Sequence, residues 1–222
     1  MRRVLGLALL ILLAYPVLVL VLGLVYIVVP PVSTLMLGRW LSGRGVERTY
    51  VPLSRIAPTL PAATVAAEDA RYCQHGGVDW SAISAVMEDA EDGAPSRGAS
   101  TIPMQVAKNL FLWPGRSYIR KAMEIPIALY LDLIWSKRRT MEIYLNIAEW
   151  GESVFGAEAA AQRHFGKRAS ALTGREAALL ATSLPNPFRR DPSRPSRWQS
   201  RHAGTIAARI GGTPLVCLGA VG

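Results

Sequence analysis

The sequence predicts a mainly α-helical protein in which one long apolar helix precedes a helical domain of ordinary size. Three observations carry that prediction. Residues 4–29 are 26 consecutive positions with no ionisable side chain except two tyrosines. From Pro61 onward, apolar residues return at three- and four-residue intervals behind capping residues, which is the period of an amphipathic helix. No alternating run of useful strand length interrupts them.

Composition narrows the class further. Half of the 222 residues are apolar and 18% are charged, so intrinsic disorder is excluded, and two cysteines cannot build a disulfide mini-protein. The length suits one domain plus an anchor and excludes a multidomain machine. Lys and Arg number 25 against 16 Asp and Glu, a net charge of +9. Setting aside Arg2 and Arg3 leaves 23 against 16, or +7, which favours an anionic partner: nucleic acid, phospholipid headgroups or a diphosphate-bearing substrate.

The elements follow in order. At ~1.5 Å per residue the apolar run spans about 39 Å as a helix, more than the ~30 Å hydrocarbon layer, with a kink expected at Pro16. A cleaved signal peptide would have a shorter apolar core and a small-residue cleavage site, so an uncleaved anchor is expected. Arginines lie on both sides (Arg2 and Arg3; Arg39, Arg44 and Arg48), so charge alone does not orient it. A short amino-terminal tail usually stays in the cytosol, which would put residue 31 onward outside. Pro30 and Pro31 close the anchor, and residues 31–60 read as a juxtamembrane linker with one short helix.

A small-residue helix runs from Pro61 to the carboxylate pair at 68 and 69. Asp79 caps a helix carrying Ile83, Val86 and Met87. Ser100 caps one carrying Met104, Ala107 and Phe111, with Pro103 in the first turn, where its missing N–H breaks no intrahelical bond. Ser117 opens a long helix through Arg139, with a kink expected at Pro126. Further helices cover 140–149 and the alanine-rich 155–165. Thr173 with Glu176 has capping-box spacing ahead of 177–184, and Pro185 and Pro187 end that helix.

Several segments carry chemistry-bearing side chains. Glu68 and Asp69, with Tyr72, His75 and Gly77 downstream, follow Val65, Ala66 and Ala67. Apolar neighbours would raise the Glu68 pKa toward the range useful for proton transfer, although such a pair alone is usually solvated. Arg97 to Thr101 meets a helix amino terminus whose free N–H groups and hydroxyls suit an anion or simply an N-cap. Arg120 and Glu124 have the spacing of a surface ion pair, with Lys121 beside them. Lys137, Arg138 and Arg139 precede Glu142, Tyr144 and Asn146, and a basic run near an anchor also suits anionic lipid.

Order and spacing together say more than any one segment. From Glu68 to about Phe188, roughly 120 residues, the chain resembles the peptidoglycan glycosyltransferase family found in class A penicillin-binding proteins. Within it, the chain is most similar to the monofunctional biosynthetic transglycosylases of Gram-negative bacteria. Glu68-Asp69 with Tyr72, His75 and Gly77 resembles E-D-x-x-F-x-x-H-x-G. Gly98 to Ile102 with Gln105 resembles G-x-S-T-I-x-x-Q, continued by Ala107, Lys108, Asn109 and Leu110. Arg120-Lys121 with Glu124 resembles R-K-x-x-E. Lys137 with Glu142, Tyr144, Leu145 and Asn146 resembles the fourth motif, and 158–161 with 165–167 the fifth. Tyr72 replaces the usual Phe, Pro103 and Met104 stand where a hydroxyl residue and Gln are common, and Thr140 replaces an aliphatic residue.

The resemblance implies a lysozyme-like two-lobed glycosyltransferase domain. It would occupy residues 61–210, behind a tail and transmembrane anchor at 1–30 and a linker at 31–60, with a tail at 211–222. It implies polymerisation of lipid II into β-1,4-linked glycan with inversion and release of polyprenyl diphosphate. Glu68 would be the general base and Glu124 the second active-site carboxylate, organising the donor side. Arg120, Lys121 and Lys137 would face the diphosphate, and Ser100, Thr101, Gln105 and Asn109 would hold sugar or phosphate oxygens. Asp69, His75 and Lys108 join the substrate-binding set. A mobile flap is expected over residues 88–98. Phe111, Leu112 and Trp113 read equally as core and as leaflet-dipping residues.

No cofactor is required, and no cluster has metal-ligand spacing, although a divalent cation (Mg or Mn) could help neutralise the diphosphate. The implied partners are lipid II, the growing strand, membrane lipid and proteins of cell division or wall synthesis, with no nucleic acid. The implied location is the inner membrane, single-pass, with the domain in the periplasm. There Cys73 is expected as a packed free thiol, and a bridge to Cys217 is not favoured. One rival is a lytic lysozyme-like enzyme, which has no need of a basic diphosphate site. The other is an anchored basic module without catalysis, which would show dispersed Lys and Arg with no ordered carboxylates.

Overall fold

The computed structural model describes residues 2–91, 98–115 and 117–219, with side chains from residue 13 onward except at 90 and 91. The helices in order are α1 (Arg2–Val25), α2 (Thr34–Leu41), α3 (Thr59–Glu68), α4 (Trp80–Glu91), α5 (Ile102–Phe111), α6 (Tyr118–Ile134), α7 (Lys137–Ile147), α8 (Ala157–Phe165), α9 (Gly174–Ser183) and α10 (Arg197–Arg209). The protein is mainly helical, as its periodicity predicts. Three strands too short to read from sequence, β1 (Glu47–Arg48), β2 (Glu149–Gly151) and β3 (Val154–Phe155), form a small sheet. Its order is β1-β3-β2, with β1 parallel and β2 antiparallel to β3.

The helices sort into two packing groups, α3 with α9 and α10, and α5 with α6 and α7. Alanines make the first group close: Ala62 and Ala63 of α3 and Ala177, Ala178 and Ala181 of α9 are all buried, so the backbones approach with little side chain between them. In the second group Ile102, Met104 and Val106 of α5, Leu131 of α6 and Met141, Ile143 and Leu145 of α7 are fully buried. Each such side chain contributes roughly 1.5–3 kcal/mol. The stretch 31–60 adds Met36, Leu53, Ile56 and Leu60 to the same core.

Local signals act where expected, with two displacements. Ser117 caps α6, Asp79 receives the Ala82 N–H, and Thr173 with Glu176 forms the capping box. Thr101, not Ser100, caps α5: its hydroxyl accepts from Met104 N and donates to the Gly77 carbonyl at 2.6 Å. The helix expected to run to Arg139 stops at Ile134, and α7 starts afresh behind Ser136. The physical reason is Trp135, which leaves the helix in extended backbone and donates its indole N–H to the Gly23 carbonyl at 2.8 Å. Pro126 lies inside α6 without ending it.

That indole is one of several bonds fixing the carboxy-terminal half of α1. Tyr130 donates to the Leu20 carbonyl at 2.7 Å, and Arg139 donates to the carbonyls of Tyr26 and Val29 at 3.0 and 2.9 Å. Carbonyls at a helix end have no intrahelical partner and carry negative dipole, which suits a guanidinium. Gly23 permits the approach, because a Cβ there would come within 2.6 Å of the Tyr130 ring. Among the described residues, no helix is long and apolar enough to cross a membrane.

The cysteine expectation is corrected: Cys73 and Cys217 are joined in a disulfide, with Cα atoms 5.4 Å apart. Leu218 is buried, and Arg138 donates to its carbonyl at 3.0 Å. The apolar tail therefore lies against α7 and carries Cys217 to Cys73. Neither contact is legible from spacing, the disulfide spanning 144 residues and the Arg138 bond 80.

Candidate active site

Glu68 is the last residue of α3, half-buried, and its Oε2 accepts from Gln105 Nε2 at 2.9 Å. Gln105 is held in that orientation from behind, because the buried Tyr144 hydroxyl donates to its Oε1 at 3.0 Å. Burial pushes the Glu68 carboxyl above the usual carboxylate range, and the Asp69 charge adds to this. The Gln105 hydrogen bond, Lys108 and Arg190 pull the other way.

Asp69 points elsewhere. Its carboxylate accepts from Ile102 N at 2.9 Å and from His75 Nε2 at 2.9 Å. A carboxylate only accepts, so Nε2 carries the proton. These bonds lock the loop after α3 to the first turn of α5. Gly77, at φ +86°, completes that turn where a Cβ would meet the Ala128 carbonyl at 2.7 Å.

Across the site, α6 presents its first turn. Lys121 Nζ donates to Ser100 Oγ at 2.6 Å and to Glu124 Oε2 at 2.9 Å. Arg120 pairs with Glu124 Oε1 and donates Nε to the Gly115 carbonyl at 3.0 Å. Glu124 is 3% exposed and Lys121 is 41% exposed, so the carboxylate is enclosed while the ammonium faces solvent. Burial, then the Arg120 charge, then Lys108, pull the Lys121 pKa down to about 8. Lys108 is lowered by burial and Arg120, and raised by Glu68. It therefore lies within electrostatic reach of both sides, joining the α3 carboxylate to the α6 cations.

Two cavities open on this arrangement. One of about 220 Å³ includes Glu68, Asp69, Gly98, Ser100 and Thr101, the Asp69 and Thr101 polar atoms being engaged within the protein. One of about 350 Å³ includes Lys108, Asn109, Trp113 and Arg120. The structure thus brings Glu68, Ser100, Gln105, Lys108, Asn109, Arg120, Lys121 and Glu124 to one region. Thr101, Asp69 and His75 use their polar atoms on the protein itself. So does Lys137, whose Nζ pairs with Asp132 at 2.7 Å, donates to the His75 carbonyl at 2.6 Å and sits 5.0 Å from the Tyr72 ring centroid.

The departures from the motifs have local explanations. The added Tyr72 hydroxyl donates to the Lys137 carbonyl at 2.7 Å and the Thr140 hydroxyl to the Ser136 carbonyl at 3.3 Å, so each unusual polar residue is satisfied by backbone. Met104 is fully buried in the core. The fourth motif serves the fold: Asn146 accepts from Val51 N and donates to its carbonyl, both at 2.9 Å, and Glu142 accepts from Leu53 N at 2.8 Å. Sequence reasoning gave no site role to Tyr144 or Arg190. Tyr144 stood inside a recognised motif, but Arg190 had only its place after the proline turn to mark it. Arg190 is fixed by the Thr182 carbonyl at 3.0 Å and stacks over Trp198 at 4.7 Å. The stretch read as a flap extends over residues 92–97, which lie outside the described residues, as does Arg116.

A carboxylate made basic by burial, joined through a lysine to a cluster of cations, is the equipment of a group-transfer enzyme whose leaving group is anionic. The chain belongs to the Transglycosylase family, whose model matches residues 35–209. It is 54% identical over 190 residues to a protein of Rhizobium meliloti named biosynthetic peptidoglycan transglycosylase, covering 85% of this chain and 80% of that one. It is 53% identical over 211 residues to a protein of the same name from Rhodopseudomonas palustris, covering 94% and 93%. A third, from Agrobacterium fabrum, is 55% identical over 179 residues, covering 81% and 79%.

Proposed function

We propose that the protein is a peptidoglycan glycosyltransferase that polymerises lipid II into β-1,4-linked glycan, with inversion and release of polyprenyl diphosphate. The observation that carries the reading is the gathering of Glu68, bonded to Gln105, with Ser100, which receives Lys121 from the Arg120–Lys121–Glu124 cluster. Glu68 takes the proton from the acceptor 4-hydroxyl, in the cavity it shares with Ser100. The freed oxygen attacks the donor anomeric carbon from the face opposite the diphosphate, the glycosidic bond to diphosphate breaks, and the bonding pair leaves on the diphosphate oxygen. Lys108, Lys121 and Arg120 oppose the charge collecting there. Glu124 holds the two α6 cations in place. A magnesium or manganese ion, where one takes part, would help neutralise the diphosphate charge.

The fold reading is a lysozyme-like pair of lobes, supported by the two helix groups and the cleft between α3 and α6. Residues 1–30 are read as a membrane anchor and the domain as periplasmic. The 26-residue apolar run and the exposed Leu13, Val17, Leu18, Val21 and Leu24 support the anchor. A disulfide suits an oxidising compartment. An enzyme and a lipid-linked substrate confined to one surface meet far more often than in free solution.

The test is direct. Purified protein given labelled lipid II should yield long glycan chains that a muramidase digests, since that enzyme requires the β-1,4 linkage. Consumption of preformed glycan with no polymer from lipid II would favour the lytic alternative.

A further inference from the structure

A third cavity borders the cationic region and has no polar role. It is about 390 Å³ and lies between α1 and α6, with Val19 and Leu20 on one wall and Met123, Ile127 and Tyr130 on the other. The polar atoms at its rim are already engaged: Tyr15 donates to the Phe111 carbonyl at 3.1 Å and Tyr130 to the Leu20 carbonyl at 2.7 Å. What remains is carbon, which cannot read a sugar or a headgroup and can only take hydrocarbon.

Its position selects which hydrocarbon. Arg120 lines the 350 Å³ cavity and Met123 lines this one, and three helical residues separate them by about 4.5 Å along α6. Ile127 and Tyr130 continue the same stripe at four- and three-residue steps. A ligand with its anion at Arg120 and an apolar chain running down α6 would enter the groove within one turn. The polarity of the site, cations at the head and carbon beyond, matches a lipid diphosphate end to end.

We propose that the groove between α1 and α6 holds the proximal part of the donor's polyisoprenyl chain; this rests on the lipid-diphosphate reading given above. The anchor helix is then a wall of the donor site as well as a tether; the bonds from Tyr130 and Trp135 to the α1 carbonyls of Leu20 and Gly23, and from Arg139 to the Tyr26 carbonyl just past the helix, keep that wall at a fixed spacing.

The experiment compares two donors on full-length, detergent-solubilised enzyme: lipid II with its full polyisoprenyl chain and lipid II cut to a short prenyl chain. Leu20→Trp fills the groove from the exposed α1 wall and Met123→Trp fills it from α6. Leu18→Trp, on a residue 53% exposed that does not line the groove, is the control. Each filling variant should raise KM for the long-chain donor roughly tenfold, about 1.4 kcal/mol, while leaving KM for the short-chain donor and both values for the control unchanged. Equal loss on both donors would show a structural disturbance and overturn the proposal. Unchanged kinetics with either donor would leave the groove to bulk lipid and overturn it as well. Wild-type protein that consumes neither donor would overturn the lipid-diphosphate reading, and the groove with it.

Discussion

Glu68 and Glu124 are the same residue placed in opposite circumstances. Glu68 ends its helix with a neutral amide as its hydrogen-bond partner, and burial outweighs the charges that pull its pKa back. Glu124 is more deeply enclosed but lies between an arginine and a lysine on its own helix. A carboxylate whose hydrogen-bond donor is neutral has its pKa lifted by burial. One held by two cations is committed to its charge. The difference teaches that burial alone does not make a general base; the partners decide whether the proton can come and go.

Four substitutions test that contrast, in descending order of effect. Glu68→Gln keeps the size and the amide contact but removes the base, so kcat for lipid II polymerisation should fall by at least on the order of 10²–10⁴, with the thermal transition unmoved. Full activity in that variant would erase the distinction between the two glutamates. Glu124→Gln should act on stability first, because it strands Arg120. Chemical denaturation should register a loss of about 3 kcal/mol, the lower end for a broken buried pair because Lys121 is partly solvated.

Lys121→Arg addresses the cationic side. With its pKa near 8, Lys121 is charged below that pH and neutral above it, so donor use should decline as pH rises through about 8. An arginine stays charged there, and its pH profile should lose the alkaline limb; an unchanged limb would detach Lys121 from the diphosphate. Tyr144→Phe is the finest probe. Without the hydroxyl, the Gln105 amide is no longer held donor-first toward Glu68, and that hydrogen bond is what lowers the carboxyl pKa. In the proposed role Glu68 works deprotonated, so the acidic limb should move to higher pH, with the folded state retained. An acidic limb that stays in place would leave Tyr144 a packing residue.

The sequence carried the helices whose signals are local. Ser117, Asp79 and the Thr173–Glu176 box act within three residues of themselves, so their caps are readable from spacing. The failures come from partners distant in the chain. The break at Trp135 answers to a carbonyl 112 residues away. The α5 cap passed to Thr101 while Ser100 became a partner of Lys121 across the site. Chemistry was legible as motifs, but motifs do not separate residues that face a cavity from residues that hold the loops around it. Asp69 and His75 look as functional in sequence as Glu68 does, and only the Ile102 N–H and the His75 ring show where Asp69 points. Lys137 is the same case, a cation matched to the motif that is bound to Asp132 and a carbonyl.

The bond between Cys73 and Cys217 sets an order on how the molecule comes into being. Its first half is only five residues past Glu68, while its second belongs to the last stretch of described chain to leave the ribosome. The loop beside Glu68 therefore stays unfastened until residue 217 has been made. It closes only when an oxidant meets both thiols, which ties the maturation of this enzyme to the redox chemistry of its surroundings.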